Sequence, residues 1–119
     1  MGLDCGVLDG AGFDSAAGLK IMGGKADRYA KLLQKFADRE SGLVGDIRAA
    51  LEAGDTPTAE RAAHSLKGSA STLGANQLAE CAAKVEAAIK SGRDVDEALE
   101  SLSDSLRNTI SAIQTAVTE

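Results

Sequence analysis

The chain has a single histidine, and its surroundings are unusual for a helix: "AAHSLKGSASTLGA", residues 62–75, sets Lys67 three residues after His64 and Gly68 four residues after it. A free imidazole has a pKa near 6.5, so at neutral pH most rings are uncharged and one nitrogen carries a lone pair. Such a nitrogen attacks phosphorus without a dedicated base, and the phosphoimidazole it forms keeps a good leaving group. On a helical wheel at about 100° per residue, Ala59, Ala62, Leu66, Ala70 and Leu73 cluster on one face and must line the core. His64 falls nearly opposite, among Glu60, Arg61, Lys67, Gly68 and Ser71, so the ring is expected to face solvent. Gly68 costs the helix about 1 kcal/mol relative to Ala, and it clears the approach to the ring one turn away. Lys67 lies within reach of an anion held by the imidazole, and Ser65, Ser69 and Ser71 add small polar groups. An exposed nucleophile, a cleared approach and a nearby cation point to phosphoryl acceptance by the ring.

The elements that must position this group read as helices. Residues 25–53 place Tyr29, Leu32, Leu33, Phe36, Leu43, Ile47 and Leu51 at helical spacing, with Gly54 as the stop. Gly42 and Gly45 weaken the middle of that segment, so they either permit close packing or mark a bend. The next helix starts with Thr56 as the expected N-cap and Pro57 at its first position, and it ends at Gly74. A further helix over 76–91 presents Leu78, Cys81, Ala82, Val85 and Ile89, with Gly92 as its stop. Asp94 then opens the last helix with Glu97 as a capping-box partner. Its stripe is Val95, Leu99, Leu102, Leu106, Ile110, Ile113 and Val117. A short helix in "FDSAAGLKIMGG" is expected to be capped by Asp14 and stopped by Gly23 and Gly24. Residues 1–12, rich in Gly and without periodicity, are expected to be a flexible tail or linker remnant, leaving 13–119 as the folded domain. The predicted fold is all-α: an antiparallel up-down-up-down four-helix bundle with a short additional N-terminal helix.

Composition agrees and excludes other classes. The 119 residues suffice for one domain, and 44% are hydrophobic and 26% charged, with three aromatic residues and one proline. Small and aliphatic side chains must fill the core, which suits helices. A net charge of −5 and a pI near 4.9 argue against a nucleic-acid partner, which needs a basic face. No apolar run is long enough for membrane insertion, and the start lacks the pattern of a secretory signal. Cys5 and Cys81 are read as reduced thiols, so a cytoplasmic location is expected. A lone histidine with distant cysteines makes no zinc site, there is no Gly-rich phosphate loop, and "RDVDEALE" reads as a helix start with dipole-favourable carboxylates rather than a metal site.

The stretch "AAHSLKGSASTLGANQLAECAAKVEAAI" resembles the signature of histidine phosphotransfer (HPt) domains of multistep two-component phosphorelays. Its Ala-His-x-Leu-Lys-Gly core is followed by a Gly-Ala that closes the helix and by a helix with Leu, Cys and a Val-Glu pair. "GLKIMGGKADRYAKLLQKF" and "LEAGD" resemble the family's lead-in, so the likeness spans roughly residues 13–117. It implies that His64 accepts a phosphoryl group from the aspartyl-phosphate of a response-regulator receiver domain and donates it to another receiver, without kinase activity of its own. It implies no cofactor in this chain, with Mg²⁺ supplied by the receiver. Lys67 would steady the phosphoryl oxygens and Gly68 would admit the receiver. Glu86 would contact the ring from the next helix and fix its tautomer, with Lys90 and Ser71 as further supporting residues. Arg61, Ser65, Ile21 and Met22 are expected to meet the receiver. The chain is expected to be monomeric, either a free shuttle or the end of a hybrid sensor kinase. Two other readings are an adaptor that binds receivers without carrying phosphate, for which His64→Gln keeps function, and the phosphate-accepting domain of a chemotaxis-type histidine kinase. A neighbouring receiver or catalytic domain in the same gene context discriminates the two phosphate-carrying readings.

Overall fold

The computed structural model describes residues 2–118, with no account of the Thr118 side chain; Met1 and Glu119 lie outside the described residues. Seven helices make up most of it: α1 (Cys5–Gly10), α2 (Ser15–Ile21), α3 (Ala26–Glu40), α4 (Leu43–Glu52), α5 (Thr56–Thr72), α6 (Asn76–Ser91) and α7 (Val95–Ala116). Two short strands, β1 (Gly2–Leu3) and β2 (Val117–Thr118), pair antiparallel and bring the two ends of the described chain together. α3 and α4 together form the first rod of a four-rod bundle whose other members are α5, α6 and α7. α5 packs on α4 and α6, α6 on α7, and α7 closes the ring against α3. The bundle is elongated, 43 × 21 × 21 Å. The all-α bundle expected from the hydrophobic spacing is the fold observed.

The spacing locates the core closely. Tyr29, Leu33, Phe36, Ile47, Leu66, Leu78, Val85, Leu99, Leu102 and Ile113 are all buried, each on the stripe of its own helix. On α5 the buried face includes Ala63 as well as Ala59, Leu66 and Ala70, and Ala62 is only half-buried. The apolar arc is therefore rotated slightly from the one drawn on the wheel.

Four local expectations are corrected. The segment 25–53 is two helices: α3 ends at Glu40, Ser41 and Gly42 form a turn, and Gly42 stands at the N-cap of α4. Gly42 and Gly45 have open space where a Cβ would sit, so neither serves a close approach; Gly42 stands at the break, and Gly45 lies within α4. The N-cap of α5 is Asp55 and not Thr56: its carboxylate accepts from the Thr58 N–H at 3.3 Å and from the Thr58 hydroxyl at 2.7 Å. At the start of α7, Asp94 has φ 59° and its side chain makes no capping bond, so the expected capping box with Glu97 is absent.

The fourth correction concerns residues 1–12. Those described are part of the packed molecule and not a loose tail. Asp4 caps α1 by accepting from the Val7 N–H at 3.2 Å, and its own N–H donates to the Ala116 carbonyl at 2.8 Å. Leu8 has no exposed surface. Burying a leucine is worth roughly 1.5–3 kcal/mol, which offsets part of the backbone entropy lost on ordering, about 1–2 kcal/mol per residue; the hydrogen bonds and the strand pair at the ends of the segment add to it.

The N-terminal elements brace the far end of α5. Asp14 caps α2 as expected, accepting from the Ala17 N–H at 3.1 Å. The Asp14 N–H donates to the Gly74 carbonyl at 2.7 Å, and the Gln77 N–H donates to the Gly12 carbonyl at 3.2 Å. Gly74 takes φ +79°, and a Cβ there would run into the Asp14 carbonyl, so both its backbone angle and its crowding demand glycine. The buried Tyr29 hydroxyl donates to the Leu73 carbonyl at the C-cap of α5. Burial first, and then the electrostatic influence of the neighbouring Cys5, Asp9 and Asp14, hold the Tyr29 phenol well above its ordinary range. It therefore stays a donor throughout the physiological range. Gly18 packs against that ring, and a Cβ at this position would also come within 2.8 Å of the Leu73 carbonyl.

Candidate functional site

The site lies midway along α5, on the face turned from the core and toward α6. His64 is there because residues 59, 63, 66 and 70 take the buried side of the helix and three to four residues separate successive points on one face. Its side chain is 64% exposed, as the wheel requires. Across the groove, α6 buries Leu78, Ala82, Val85 and Ile89. That rotation turns Glu86 into the seam between the two helices, where its side chain is only 12% exposed.

Glu86 is the hub of the arrangement. Its Oε2 lies 2.9 Å from His64 Nδ1, and its Oε1 accepts from Lys67 Nζ at 3.3 Å. Lys90, one turn further along α6, places Nζ 3.7 Å from Glu86 Oε2 and 3.6 Å from Glu60 Oε1. Burial tends to raise the Glu86 pKa, but the Lys67 hydrogen bond, the Lys67 charge and His64 together outweigh it, and the net shift is downward. At neutral pH the carboxylate is ionised and can only accept. His64 Nδ1 must therefore be the donor, which puts the lone pair of the neutral ring on Nε2. Nε2 is the nitrogen that Glu86 does not engage. The carboxylate thus fixes the tautomer and leaves the lone-pair nitrogen of a largely exposed ring without a partner from Glu86.

Gly68 adjoins the ring one turn along α5, exposed, and a Cβ built on it would meet nothing within 4 Å. No packing in the bundle demands a glycine here. In a helix each Cα–Cβ bond tilts toward the N-terminus, so any side chain at 68 would lean over His64. Lys67 is 37% exposed, its ammonium held beside the ring by Glu86.

Of the residues singled out in the sequence, His64, Lys67, Glu86 and Lys90 meet in one network with Gly68 beside it. Ser71 is exposed on α5 and takes no part in that network. Arg61 and Ser65 are exposed on the same helix. Ile21 is 58% exposed, but Met22 turns inward and belongs to the core. The expectation that Met22 meets a partner is corrected, because adjacent residues at the end of α2 point to opposite sides. The sequence marks Glu60 only as a neighbour of His64 on the wheel and does not show its tie to Lys90. The available signal was its position four residues before His64, one turn away on the same face. Among the described residues, no group of three or more His, Cys, Asp or Glu side chains could hold a metal ion. No described helix is long and apolar enough to cross a membrane, and Cys5 and Cys81 are both unpaired.

The family model of the Hpt domain matches residues 31–116, which takes in the first rod almost entirely, all of α5 and α6, and α7 to its last residue. The chain belongs to the Hpt domain family. No curated protein and no solved structure matches it. Hpt domains are helical bundles that carry phosphoryl groups on histidine in two-component phosphorelays, exchanging them with receiver domains, and they are carriers and not kinases. In this Hpt domain the matched region contains the whole His64–Lys67–Gly68–Glu86 arrangement, whereas α1, α2 and the strand pair at the chain ends lie outside it.

Proposed function

We propose that this Hpt domain accepts a phosphoryl group on Nε2 of His64 from the aspartyl-phosphate of a response-regulator receiver domain and passes it to the aspartate of another receiver. The observation that carries this reading is the bond between Nδ1 and an ionised, largely buried Glu86 on an otherwise exposed ring. The Nε2 lone pair forms a bond to phosphorus as the P–O bond to the aspartyl carboxylate breaks, and the electron pair of that bond leaves on the carboxylate. The ring becomes an imidazolium whose Nδ1–H faces Glu86, so the positive charge that develops meets a negative one already in place. Transfer to the second receiver reverses these steps.

Lys67 steadies the phosphoryl oxygens, and Gly68 leaves room for the receiver to close over the ring. Phosphoryl transfer depends on positioning and charge neutralisation; in this reading the receiver supplies Mg²⁺, and the chain acts as a carrier without kinase activity of its own. Arg61, Ser65 and Ile21 lie on the exposed surface the receiver would meet. A monomer in the cytoplasm, free or joined to a hybrid sensor kinase, fits this role.

The test is transfer from a receiver loaded at its aspartate. Wild type should gain an acid-labile, alkali-stable label, and His64→Gln should gain none while keeping its helical circular dichroism. Equal labelling of both proteins would rule out His64 as the acceptor.

A further inference from the structure

The resting site poses a problem for the role given to Lys67. Its ammonium is bound to Glu86 Oε1 at 3.3 Å, so it is committed before any phosphoryl group arrives. Turning to the phosphoryl oxygens would strip a donor from a carboxylate that is only 12% exposed, and uncompensated charge in such a place is costly. Lys90 addresses this need. Its Nζ stands 3.7 Å from Glu86 Oε2 and is also held by Glu60 Oε1 at 3.6 Å, so it bridges α5 and α6. Two carboxylates and two ammonium groups balance in the resting state. After Lys67 turns away, Glu86 keeps Lys90 as a cationic neighbour and His64 Nδ1–H as a donor.

We propose that Lys90, tethered by Glu60, is a positioning residue that lets Lys67 exchange Glu86 for the phosphoryl group on His64. The inference rests on His64 being the phosphoryl acceptor. Lys90 does not itself touch the phosphoryl group; it acts through Glu86 and Lys67. Without it Glu86 would retain Lys67, and the entering phosphoryl group would lose its cation. The two lysines must then be coupled, and removal of one changes what the other contributes.

The experiment uses phosphoramidate, which loads the ring without a receiver: the P–Nε2 bond forms as the phosphoramidate P–N bond breaks and ammonia leaves. Labelling rates are compared for wild type, Lys67→Met, Lys90→Met, the double variant and Lys90→Arg, with a thermal melt of each. Loss of one charge-assisted contact to the phosphoryl group should slow Lys67→Met about tenfold. Lys90→Met should be slowed to a similar degree, the double variant should be no slower than Lys67→Met, and Lys90→Arg should react as wild type. The exposed Lys90 pairs contribute little to folding, so Lys90→Met should melt near the wild-type temperature. A wild-type rate for Lys90→Met, or a double variant whose loss is the product of the two single losses, would overturn the inference and leave the acceptor role of His64 standing. If wild type gains no label on His64, the acceptor reading fails and this inference fails with it.

Discussion

Gly68 offers a test in which stability and function should move in opposite directions. It sits in the interior of α5, outside the group of glycines with positive φ, and a Cβ there meets nothing within 4 Å. Gly68→Ala should therefore add no strain and should recover the helix propensity that glycine forfeits, about 0.8–1 kcal/mol. For a chain of this size that gain raises Tm by roughly 3–6 °C. Leu and Gln are also good helix formers, so Gly68→Leu and Gly68→Gln should be at least as stable as wild type. Their side chains, however, lean toward the N-terminus and over His64. A displacement of about 1 Å in the approach of reacting groups can cost on the order of 100-fold in rate, so Gly68→Gln should lose roughly that much transfer and Gly68→Ala less. The assay pairs thermal melts with quenched-flow transfer from a phosphorylated receiver. Destabilisation of Gly68→Ala would show that the glycine serves packing, and wild-type transfer by Gly68→Gln would refute its role in access.

Three further outcomes follow from the same geometry. Leu8→Ala should cost about 2–5 kcal/mol in chemical denaturation, because Leu8 is fully buried; a change near zero would return residues 1–12 to the status of a tail. Tyr29→Phe should cost about 1–3 kcal/mol by leaving the Leu73 carbonyl without its donor, and a melt within a degree of wild type would show that bond to be unimportant. The Glu86 pKa is held below its ordinary 4.5, so the stability this carboxylate contributes is present above about 4.5 and is lost as pH falls through its lower folded value. The gap in Tm between wild type and Glu86→Gln should accordingly shrink between pH 5.5 and 3, whereas a constant gap would contradict the ion-paired assignment.

The sequence made the bundle and the heart of the site legible because both depend on helical period. Four stripes of apolar residues predicted the rods, and the position of His64 on its wheel set the ring outward. The break at Ser41–Gly42 was harder to read. Phe36 and Leu43 are seven residues apart, two helical turns, so the apolar pattern runs through the interruption as if the helix were continuous. At the N-terminus, Gly2, Gly6, Gly10 and Gly12 dilute any periodicity, and α1 is too short to establish its own. Its order comes from contacts distant in sequence, the Ala116 carbonyl and the strand pair, which no local pattern reports. The choice of Asp55 over Thr56 as a cap turns on a single residue of register. The Glu60–Lys90 bridge depends on how α5 and α6 are rotated against each other, which only the packed structure provides.

The account stands most directly on the nitrogen that Glu86 leaves open. Heteronuclear NMR of ¹⁵N-labelled protein, before and after phosphorylation by a receiver, reads both ring nitrogens of His64 at once. The resting ring should carry its proton on Nδ1, and phosphorylation should place phosphorus coupling on Nε2 with the Nδ1–H retained. A phosphoryl group on Nδ1, or an unchanged His64 ring in a protein that has gained phosphate elsewhere, would contradict it.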